Sequence, residues 1–252
     1  MNIDRRKHYI LVVDTETVNT CRDETGRLDT SAPLCYDIGF AVVDTHGEVY
    51  ATESFVNEDI FFVERDMMKT AYYAHKMPQY DEDLKNGLRK LGTTLAIRNR
   101  MWSLIEEYNI QEVVAHNARF DITALNMTLR YRTKSEKRRW FPPYIEVWDS
   151  MLMARSVIGK MPTYRKFCEE NGFLTKNNQC SMNAENLYKF ITKNLEFEEA
   201  HTGLEDVLIE KEIMAYCYRQ HKPMKQVLYT AFVGDELTEI QKRIWKMIKN
   251  RG

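Results

Sequence analysis

Two carboxylates separated by a single residue follow the first apolar segment of the chain. Asp14 and Glu16 come directly after the apolar run from Tyr9 to Val13. Because residues i and i+2 of a strand point to the same face, both carboxylates are predicted to project together at the end of a buried strand. Charged groups in such a place are costly unless something compensates them, and a divalent cation is the natural compensation. A DxE triplet is common by chance, so the pair needs support from elsewhere.

A second candidate carboxylate, Asp121, ends the segment AHNARFD at residues 115–121. A short strand is predicted over Glu112 to Ala115, and a helix is predicted from Asn117, which is a favourable capping residue. Asp121 then lies about one turn into the helix and faces the crevice beyond the strand end, while Phe120 turns towards the core. In isolation, Asp121 could equally be a helix-dipole residue, worth about 0.3–1 kcal/mol.

The third candidate is the segment HTGLED, which opens a helix predicted over residues 201–219. On a regular helix His201 and Asp206 would lie about 140° apart. They can converge only if His201 lies on the preceding loop, where Gly203 gives conformational freedom, and Asp206 lies in the first turns. A lone histidine at a helix start is more often a structural contact than a catalyst.

Together, the three segments place four carboxylates and one histidine at two strand ends and two helix starts. Open α/β sheets bind their ligands in this region, beyond the carboxyl ends of the strands. A cluster of oxygen ligands suits Mg²⁺ or Mn²⁺ rather than zinc or copper. Two such ions can clamp the attacking and leaving oxygens of a phosphoryl displacement, and a histidine can take the proton of the attacking water. The combination predicts metal-dependent phosphodiester hydrolysis.

The three segments resemble, in the same order, the exonuclease motifs of the DEDDh family of 3′–5′ exonucleases. That family includes the proofreading epsilon subunit of bacterial DNA polymerase III and RNase T. The resemblance covers about residues 8–218, and the stretches YDIGF (36–40) and WDSMLMAR (148–155) add to it. It implies an α/β, RNase H-like fold, in which a mixed five-stranded sheet is flanked by helices.

The resemblance also implies roles for individual residues. Two Mg²⁺ or Mn²⁺ ions would be bound by four carboxylates: Asp14, Glu16, Asp121 and Asp206. Asp14 would bridge the ions, and His201 would act as general base at the terminal phosphodiester. The terminal nucleotide would be contacted by a further set of residues: Thr15, Thr17, His116, Asn117 and Phe120. The family often has a glycine shortly after its first motif, where this chain has Val18, Asn19 and Thr20, so the nucleotide pocket is expected to differ there.

The segments between the motifs predict a sheet and its helices. Strands are predicted near 8–15, 37–44, 48–56, 112–115 and 145–148, with a turn at Asp44 to Gly47 joining the second and third. Helices are predicted near 97–108, 117–131, 149–157, 163–171, 183–193 and 201–219. Asp149 is interpreted as a helix cap rather than a metal ligand. A hairpin followed by β/α units favours a mixed sheet with helices around it.

Residues 130–140, here called the basic segment, carry six basic residues against Glu136. Four arginines of the segment are predicted to contact phosphates: Arg130, Arg132, Arg138 and Arg139. Tyr131, Trp140 and Phe141 lie among or beside them, and aromatic residues beside basic ones suit single-stranded nucleic acid. The alternative is a solvated charged face. The aromatic residues of the segment 57–92 are predicted to belong to the core rather than to stack on bases.

Composition limits where the protein works and what it binds. The chain of 252 residues has a net charge of −1, so nucleic-acid binding must come from local patches. Its longest apolar run is far shorter than the roughly 20 residues of a membrane span, and no signal peptide is predicted. Five cysteines without a CxxC pair do not suggest disulfides or zinc, and a cytoplasmic setting is expected.

The chain is predicted to divide into an exonuclease domain over residues 1–220 and a basic, amphipathic tail over 221–252. The tail contains a predicted helix over 235–250 that packs on its own domain, lies against nucleic acid, or docks a DNA polymerase or a second copy of the chain. The predicted substrates are single-stranded nucleic acids with free 3′ ends, with DNA favoured. The alternatives are RNA 3′-end trimming and a polymerase-docking subunit.

Overall fold

A computed structural model describes residues 3–19 and 33–229, which form a seven-stranded sheet with helices on both faces. The strands are β1 (Tyr9–Asn19), β2 (Pro33–Asp44), β3 (Val49–Asn57), β4 (Lys90–Gly92), β5 (Glu112–Ala115), β6 (Glu146–Asp149) and β7 (Val227–Tyr229). Their order in the sheet is β4-β3-β2-β1-β5-β6-β7. Strands β1, β2 and β3 are antiparallel, whereas β1, β5 and β6 are parallel.

The predicted mixed sheet is confirmed, and its five expected strands are the central β3-β2-β1-β5-β6. The two additional strands, β4 and β7, lie at the edges and are three residues long. Elements this short carry no periodic pattern that a sequence could reveal. Because β7 pairs with β6, the sheet includes residues just beyond the predicted boundary at 220. The predicted tail helix lies outside the described residues.

Eight helices are found in the described part of the chain. They are α1 (Glu58–Phe61), α2 (Met77–Lys85), α3 (Thr94–Glu107), α4 (Arg119–Thr133), α5 (Ser150–Ser156), α6 (Pro162–Glu170), α7 (Ala184–Thr192) and α8 (Gly203–Arg219). Short 3₁₀ turns cover Met67–Thr70, Ala74–Lys76 and Ile158–Lys160. None of the helices within 3–19 and 33–229 has the length and apolar character needed to cross a membrane.

Strand β1 divides the core into two layers, because its successive side chains point to opposite faces. Leu11 and Val13 pack with residues of α3 and α4. Ile10 and Val12 pack with residues of α5, α6, α7 and α8. The same alternation continues to Glu16, so it decides which face Asp14, Thr15 and Glu16 occupy.

Two glycines allow the start of α8 to lie directly on β2. A Cβ added at Gly39 would come within 2.1 Å of the carbonyl carbon of Gly203, and one added at Gly203 would come within 2.6 Å of the Gly39 nitrogen. The Gly203 N–H donates to the buried carboxylate of Asp37 at 2.9 Å. Asp37 is in turn paired with the buried Arg89 at 3.1 Å. These contacts fix the N-terminus of α8 against the sheet.

The structure corrects two local predictions around β5 and confirms two others. Asn117 does not cap α4; it has a φ of 63°, in the left-handed region that asparagine tolerates, and makes the turn before the helix. Phe120 does not turn to the core but is 38% exposed. Asp149 caps α5 through the N–H of Met151, at 2.8 Å, as predicted. The turn after Asp44 is also present, closed by the Gly47 N–H at 3.0 Å.

Candidate active site

Three of the four predicted metal-binding carboxylates come together at the end of β1. One oxygen each from Asp14, Glu16 and Asp206 lie within 4.8 Å of one another. Asp14 and Glu16 share a face of β1, and a β-bulge follows between Glu16 and Thr17. Asp206 reaches them from the first turn of α8. We refer to these three residues as the carboxylate cluster.

The fourth predicted ligand, Asp121, approaches from the other face of the sheet. Thr15, between the two carboxylates of β1, points towards α4 and donates its hydroxyl to Asp121 Oδ1 at 2.8 Å. Both side chains are buried, and Asp121 is only 3% exposed. The bond fixes Asp121 beside the carboxylate cluster, and the charge of Asp121 raises the pKa of Asp14. The predicted contact of Thr15 with a nucleotide could therefore be made only by its backbone.

Burial, and after it the charges of nearby carboxylates, raise the pKa of the four predicted ligands. Burial, followed by the charges of Asp37 and Asp206, raises the pKa of Glu16 from 4.5 to about 9. Burial also raises the pKa of Asp14, Asp121 and Asp206. In addition, the buried Oδ1 of Asp206 has no hydrogen-bond partner in the described structure. Such an arrangement of oxygens suits a cation that would compensate their charge.

His201 lies on the loop immediately before α8, as the spacing of its motif required. Its φ of 50° is left-handed, and α8 begins two residues later, at Gly203. Burial and then the positive charge of Lys76 lower the pKa of its imidazole. The ring is therefore neutral at pH 7 and is able to accept a proton. Its Nδ1 lies 3.6 Å from Glu199 Oε2.

A second group of residues at this site was not predicted and comes from the segment 57–92. The ring of Tyr73 stacks on the imidazole of His201, with centroids 4.6 Å apart and planes inclined by 13°. Lys76 Nζ donates to the backbone carbonyls of Ala200 and His201. Tyr72, whose ring contacts Tyr73 edge-on, is 86% exposed. These contacts hold the histidine loop from the side opposite α8.

The prediction that the aromatic residues of this segment belong to the core is therefore only partly right. Phe61 and Tyr80 are fully buried, as predicted. Tyr72 is exposed, Phe62 is 43% exposed, and Tyr73 lies at the site. The segment folds through 3₁₀ turns and short helices, whose side chains follow no single period that separates inner from outer positions.

The structure separates the predicted nucleotide-contacting residues into two groups. The predicted contact of His116 with a nucleotide is not supported. Both its ring nitrogens are already bonded, to Ser150 Oγ at 2.8 Å and to the carbonyl oxygen of Met182 at 2.6 Å. Phe120 and Asn117 are exposed near the start of α4. Thr17 is half-buried after the bulge. These last three remain predicted contacts.

The basic segment lies away from the carboxylate cluster and is mostly engaged in structural contacts. It starts near the end of α4, and a helix rises about 1.5 Å per residue, so the end of α4 lies about 18 Å along the axis from Asp121. Arg130 is buried and donates to the carbonyl oxygen of Arg138 at 3.0 Å. Arg132 pairs with Asp59 at 3.0 Å. The predicted phosphate contacts of Arg130 and Arg132 are therefore not supported.

The aromatic residues of the basic segment are also not available for stacking on bases. Trp140 is fully buried and Phe141 is buried, both within the core layer that contains α3 and α4. The sequence did not reveal this, because aromatic residues beside arginines form the same pattern whether they anchor a loop in the core or face solvent. Arg138 is exposed and Arg139 is half-buried, and their phosphate contacts remain predictions.

Comparison with known proteins defines the class of fold. No protein-family model and no curated protein matches the sequence. Among solved structures, the chain is similar to several 3′-exonucleases at TM-scores just above 0.5 and low sequence identity. At this identity the likeness shows the fold alone, and the chain has the α/β, RNase H-like fold found in these enzymes.

Three of these structures illustrate the likeness. The nuclease domain of 3′hExo, a DEDDh family member, bound to rAMP, has a TM-score of 0.54 at 11% identity, covering 90% of this chain and 99% of that one. A full-length 3′-exonuclease has a TM-score of 0.54 at 11% identity, covering 92% and 93%. A 3′-exonuclease that recognises the 3′ end of a histone mRNA stem-loop has a TM-score of 0.53 at 11% identity, covering 87% and 85%.

Proposed function

We propose that the protein is a 3′–5′ exonuclease that hydrolyses the terminal phosphodiester bond of single-stranded nucleic acid. The observation that carries this proposal is the carboxylate cluster, with oxygens within 4.8 Å of one another. The cluster lies beside Asp121 and beside the loop of His201, on the fold shared with 3′-exonucleases. Cluster, histidine and fold support the same reaction independently.

Divalent cations are the cofactors that these residues fit. The donors are all carboxylate oxygens, which favours Mg²⁺ or Mn²⁺, and Asp206 has a buried oxygen without a hydrogen-bond partner in the part of the chain that the structure describes. Asp14, Glu16, Asp121 and Asp206 would hold two ions. When bound, the ions would stabilise the charge on the attacking and leaving oxygens of the phosphodiester.

His201 would act as the general base. Its imidazole is neutral at pH 7, since burial and Lys76 lower its pKa. It would accept a proton from water as the water oxygen forms a bond to the terminal phosphorus. The bond from phosphorus to the 3′ oxygen of the preceding nucleotide breaks, and that oxygen takes a proton from solvent. The products are a nucleoside 5′-monophosphate and a chain one nucleotide shorter with a free 3′ hydroxyl.

The terminal nucleotide would lie against the exposed side chains around the carboxylate cluster. Phe120, at the start of α4, and Tyr72, beside Tyr73, are exposed aromatic residues on two sides of the site. Base–aromatic stacking is tolerant of sequence, which suits an exonuclease that meets each base in turn. Thr17 and Asn117 would contact the sugar or the phosphate.

The sequence favours DNA as substrate, and RNA trimming is the second candidate. RNA is favoured by one observation: one of the similar structures is of a 3′-exonuclease recognising a histone mRNA stem-loop, and another is bound to rAMP. The choice between the polymers depends on whether the pocket contacts the 2′ hydroxyl. The two candidates share the same cluster and the same base, so a single experiment can test both.

A gel ladder tests the proposal. The full chain is incubated with 5′-labelled single-stranded DNA or RNA of the same sequence, with Mn²⁺, Mg²⁺ or EDTA. The Asp14→Ala and His201→Ala variants are compared with Asp66→Asn, a control at an exposed aspartate. We expect shortening from the 3′ end that EDTA and both alanine variants abolish and the control retains, with the faster polymer defining the substrate. No cleavage in either metal would contradict the proposal.

A further inference from the structure

Glu210 is a buried carboxylate that neither the sequence motifs nor the proposed reaction uses. The residue is 3% exposed, and its Oε2 has no hydrogen-bond partner within the described residues. Burying an unpaired carboxylate costs several kcal/mol, and buried charges in proteins are usually paired or coordinate a metal. The surroundings of Glu210 indicate which of these applies.

The position of Glu210 on α8 places it beneath the carboxylate cluster. It follows Asp206 by four residues, and residues i and i+4 lie one above the other on the same helix face. Helix α8 packs on β2 and on β1, and Asp14 and Glu16 belong to β1. Glu210 therefore lies one turn deeper than Asp206, on the side of the helix that meets the sheet.

Its electrostatic neighbours support this placement. After burial, the charges of Asp121 and Asp206 raise the pKa of Glu210, while the backbone N–H of His116 lowers it. In turn, the charge of Glu210 raises the pKa of Asp14. Glu210 thus accepts a hydrogen bond from the turn after β5 and interacts electrostatically with carboxylates of β1, α4 and α8.

No cationic side chain in the described structure compensates this carboxylate. Lys76 is the lysine that acts on the site, and its Nζ donates to the carbonyls of Ala200 and His201, in the loop before α8. Arg89 is paired with Asp37, Asp83 and Glu205. Uncompensated by either, Glu210 is a further carboxylate whose charged form is disfavoured near the four predicted ligands.

We propose that Glu210 is a fifth acidic residue of the metal site, and that its charge strengthens the binding of divalent cations by the four predicted ligands. The inference rests on the proposed function, in which Asp14, Glu16, Asp121 and Asp206 bind Mg²⁺ or Mn²⁺. A divalent cation is the species that would compensate Glu210 and the cluster together. Without the cation, the buried carboxylate must either stay charged beside like charges or take up a proton, and both lower the stability of the fold above the pKa of a free carboxyl group.

The Glu210→Gln variant is therefore expected to change two properties in opposite directions. The dissociation constant for Mn²⁺ should rise about 10-fold, at the lower end of the 10–100-fold range found for outer residues of metal sites. The metal-free protein should unfold at a higher temperature, because a source of repulsion is gone. A residue with a merely structural role would lower the unfolding temperature and leave metal affinity unchanged.

Calorimetric titration of the chelator-stripped full chain with MnCl₂ measures the first property, and thermal unfolding in EDTA measures the second. Glu210→Leu repeats the test with an apolar side chain that suits a buried position. Glu212→Gln is the matched control: it removes a carboxylate from α8 about 160° away around the helix, where Glu212 pairs with Lys211. We expect the control to keep the Mn²⁺ affinity of the parent.

Each outcome bears on the inference. Weaker Mn²⁺ binding together with a higher unfolding temperature in EDTA, for either Glu210 variant, supports it. Unchanged Mn²⁺ affinity overturns it, and so does a loss of folding in both variants, since the inference requires the metal-free protein to gain stability. A parent protein that binds no Mn²⁺ would instead overturn the metal dependence of the proposed function. Because no nucleic acid is present, the two failures are distinguishable.

Discussion

The two ends of α4 carry opposite charges, and the fold treats them in opposite ways. At the N-terminal end, Asp121 is buried beside Asp14, and burial raises the pKa of both. At the C-terminal end, Arg130 is bonded to a backbone carbonyl and Arg132 to Asp59. Thus no cationic side chain among the described residues is paired with Asp121, whereas the arginines named here are already bonded.

This difference indicates which charges serve a ligand. A paired side chain at a surface contributes little and needs nothing more, because exposed ion pairs contribute about 0–1 kcal/mol. Several carboxylates close together without a cation lower stability, so their presence points to a species bound from outside. Sequence patterns show that both ends of α4 are charged, but they do not distinguish a side chain that is already paired from one that needs a ligand. The following predictions test the distinction from its largest expected effect to its smallest.

The largest effect is expected from Asp14→Asn, which neutralises the predicted bridging ligand. Exonuclease activity should fall by more than the 10–100-fold that is typical when a residue contacting a metal ligand, rather than the ligand itself, is substituted. The unfolding temperature in EDTA should rise, because the charge of Asp14 is held among like charges. Initial rates and thermal unfolding measure the two effects. An active variant, or one that is less stable without metal, would contradict the assigned role.

A smaller loss is expected from Tyr73→Leu, which removes the ring stacked on His201. Aromatic pairs contribute about 0.5–1.5 kcal/mol beyond their burial, so kcat should fall about 2–10-fold. Tyr73→Phe keeps the ring and should keep kcat. Tyr72→Leu is the matched control, since Tyr72 is exposed and does not touch the imidazole; it should raise KM more than it lowers kcat. Equal losses in Tyr73→Leu and Tyr73→Phe would show that stacking is not the contribution.

The stability of the metal-free protein should decrease as pH rises, because a carboxylate of the cluster has a raised pKa. The pKa of Glu16 is raised from 4.5 to about 9, so the folded state holds this proton more tightly than the unfolded state. The contribution of Glu16 to the free energy of unfolding is then greatest below about pH 4.5 and is lost as pH rises towards 9. For a chain of this size each kcal/mol lost lowers Tm by about 2–4 °C.

Thermal unfolding between pH 5 and 9 in EDTA checks this dependence. Glu16→Gln should flatten the decline in Tm, and Mn²⁺ should offset it in the parent. A decline of the same slope in Glu16→Gln would assign the pH dependence to other groups.

The smallest effects are expected at the basic segment. Arg132→Ala breaks an exposed ion pair with Asp59 and should change the free energy of unfolding by less than about 1 kcal/mol. It should leave hydrolysis of a dinucleotide unchanged. The double variant Arg138→Ala and Arg139→Ala should weaken long substrates more than dinucleotides and reduce the salt dependence of binding. Equal losses on long and short substrates would exclude a phosphate-binding role for this pair.

The parts of the fold and site that sequence predicts are those with local signals. Strand periodicity and a DxE triplet place Asp14 and Glu16 on one face, and the structure agrees. The five-residue spacing of His201 and Asp206 required a loop followed by a helix start, and α8 begins between them. Asp149 was recognisable as a cap because it precedes a helix and follows a strand.

The unpredicted parts depend on contacts between distant segments. Tyr73 reaches His201 because a segment of 3₁₀ turns is placed across the end of β1, and nothing in its residue pattern indicates that position. For the same reason, Phe120 is exposed although it was expected in the core. Trp140 is buried although it was expected to lie beside nucleic acid. Glu210 carried a usable signal: it lies four residues after Asp206 on a helix face flanked by Val207 and Ile213. An acidic residue on a helix face that is predicted to be buried indicates a carboxylate that needs a compensating charge.

The close approach of Gly39 and Gly203 has a consequence for finding divergent relatives of this chain. A side chain at either position would push α8 away from β2, and with it the residues that α8 and its loop bring to the sheet. Any homologue with the same spatial arrangement of catalytic groups should therefore lack a Cβ at both places. A paired-glycine filter, applied to candidates aligned by structure, would separate chains that retain the geometry from those that share only the topology.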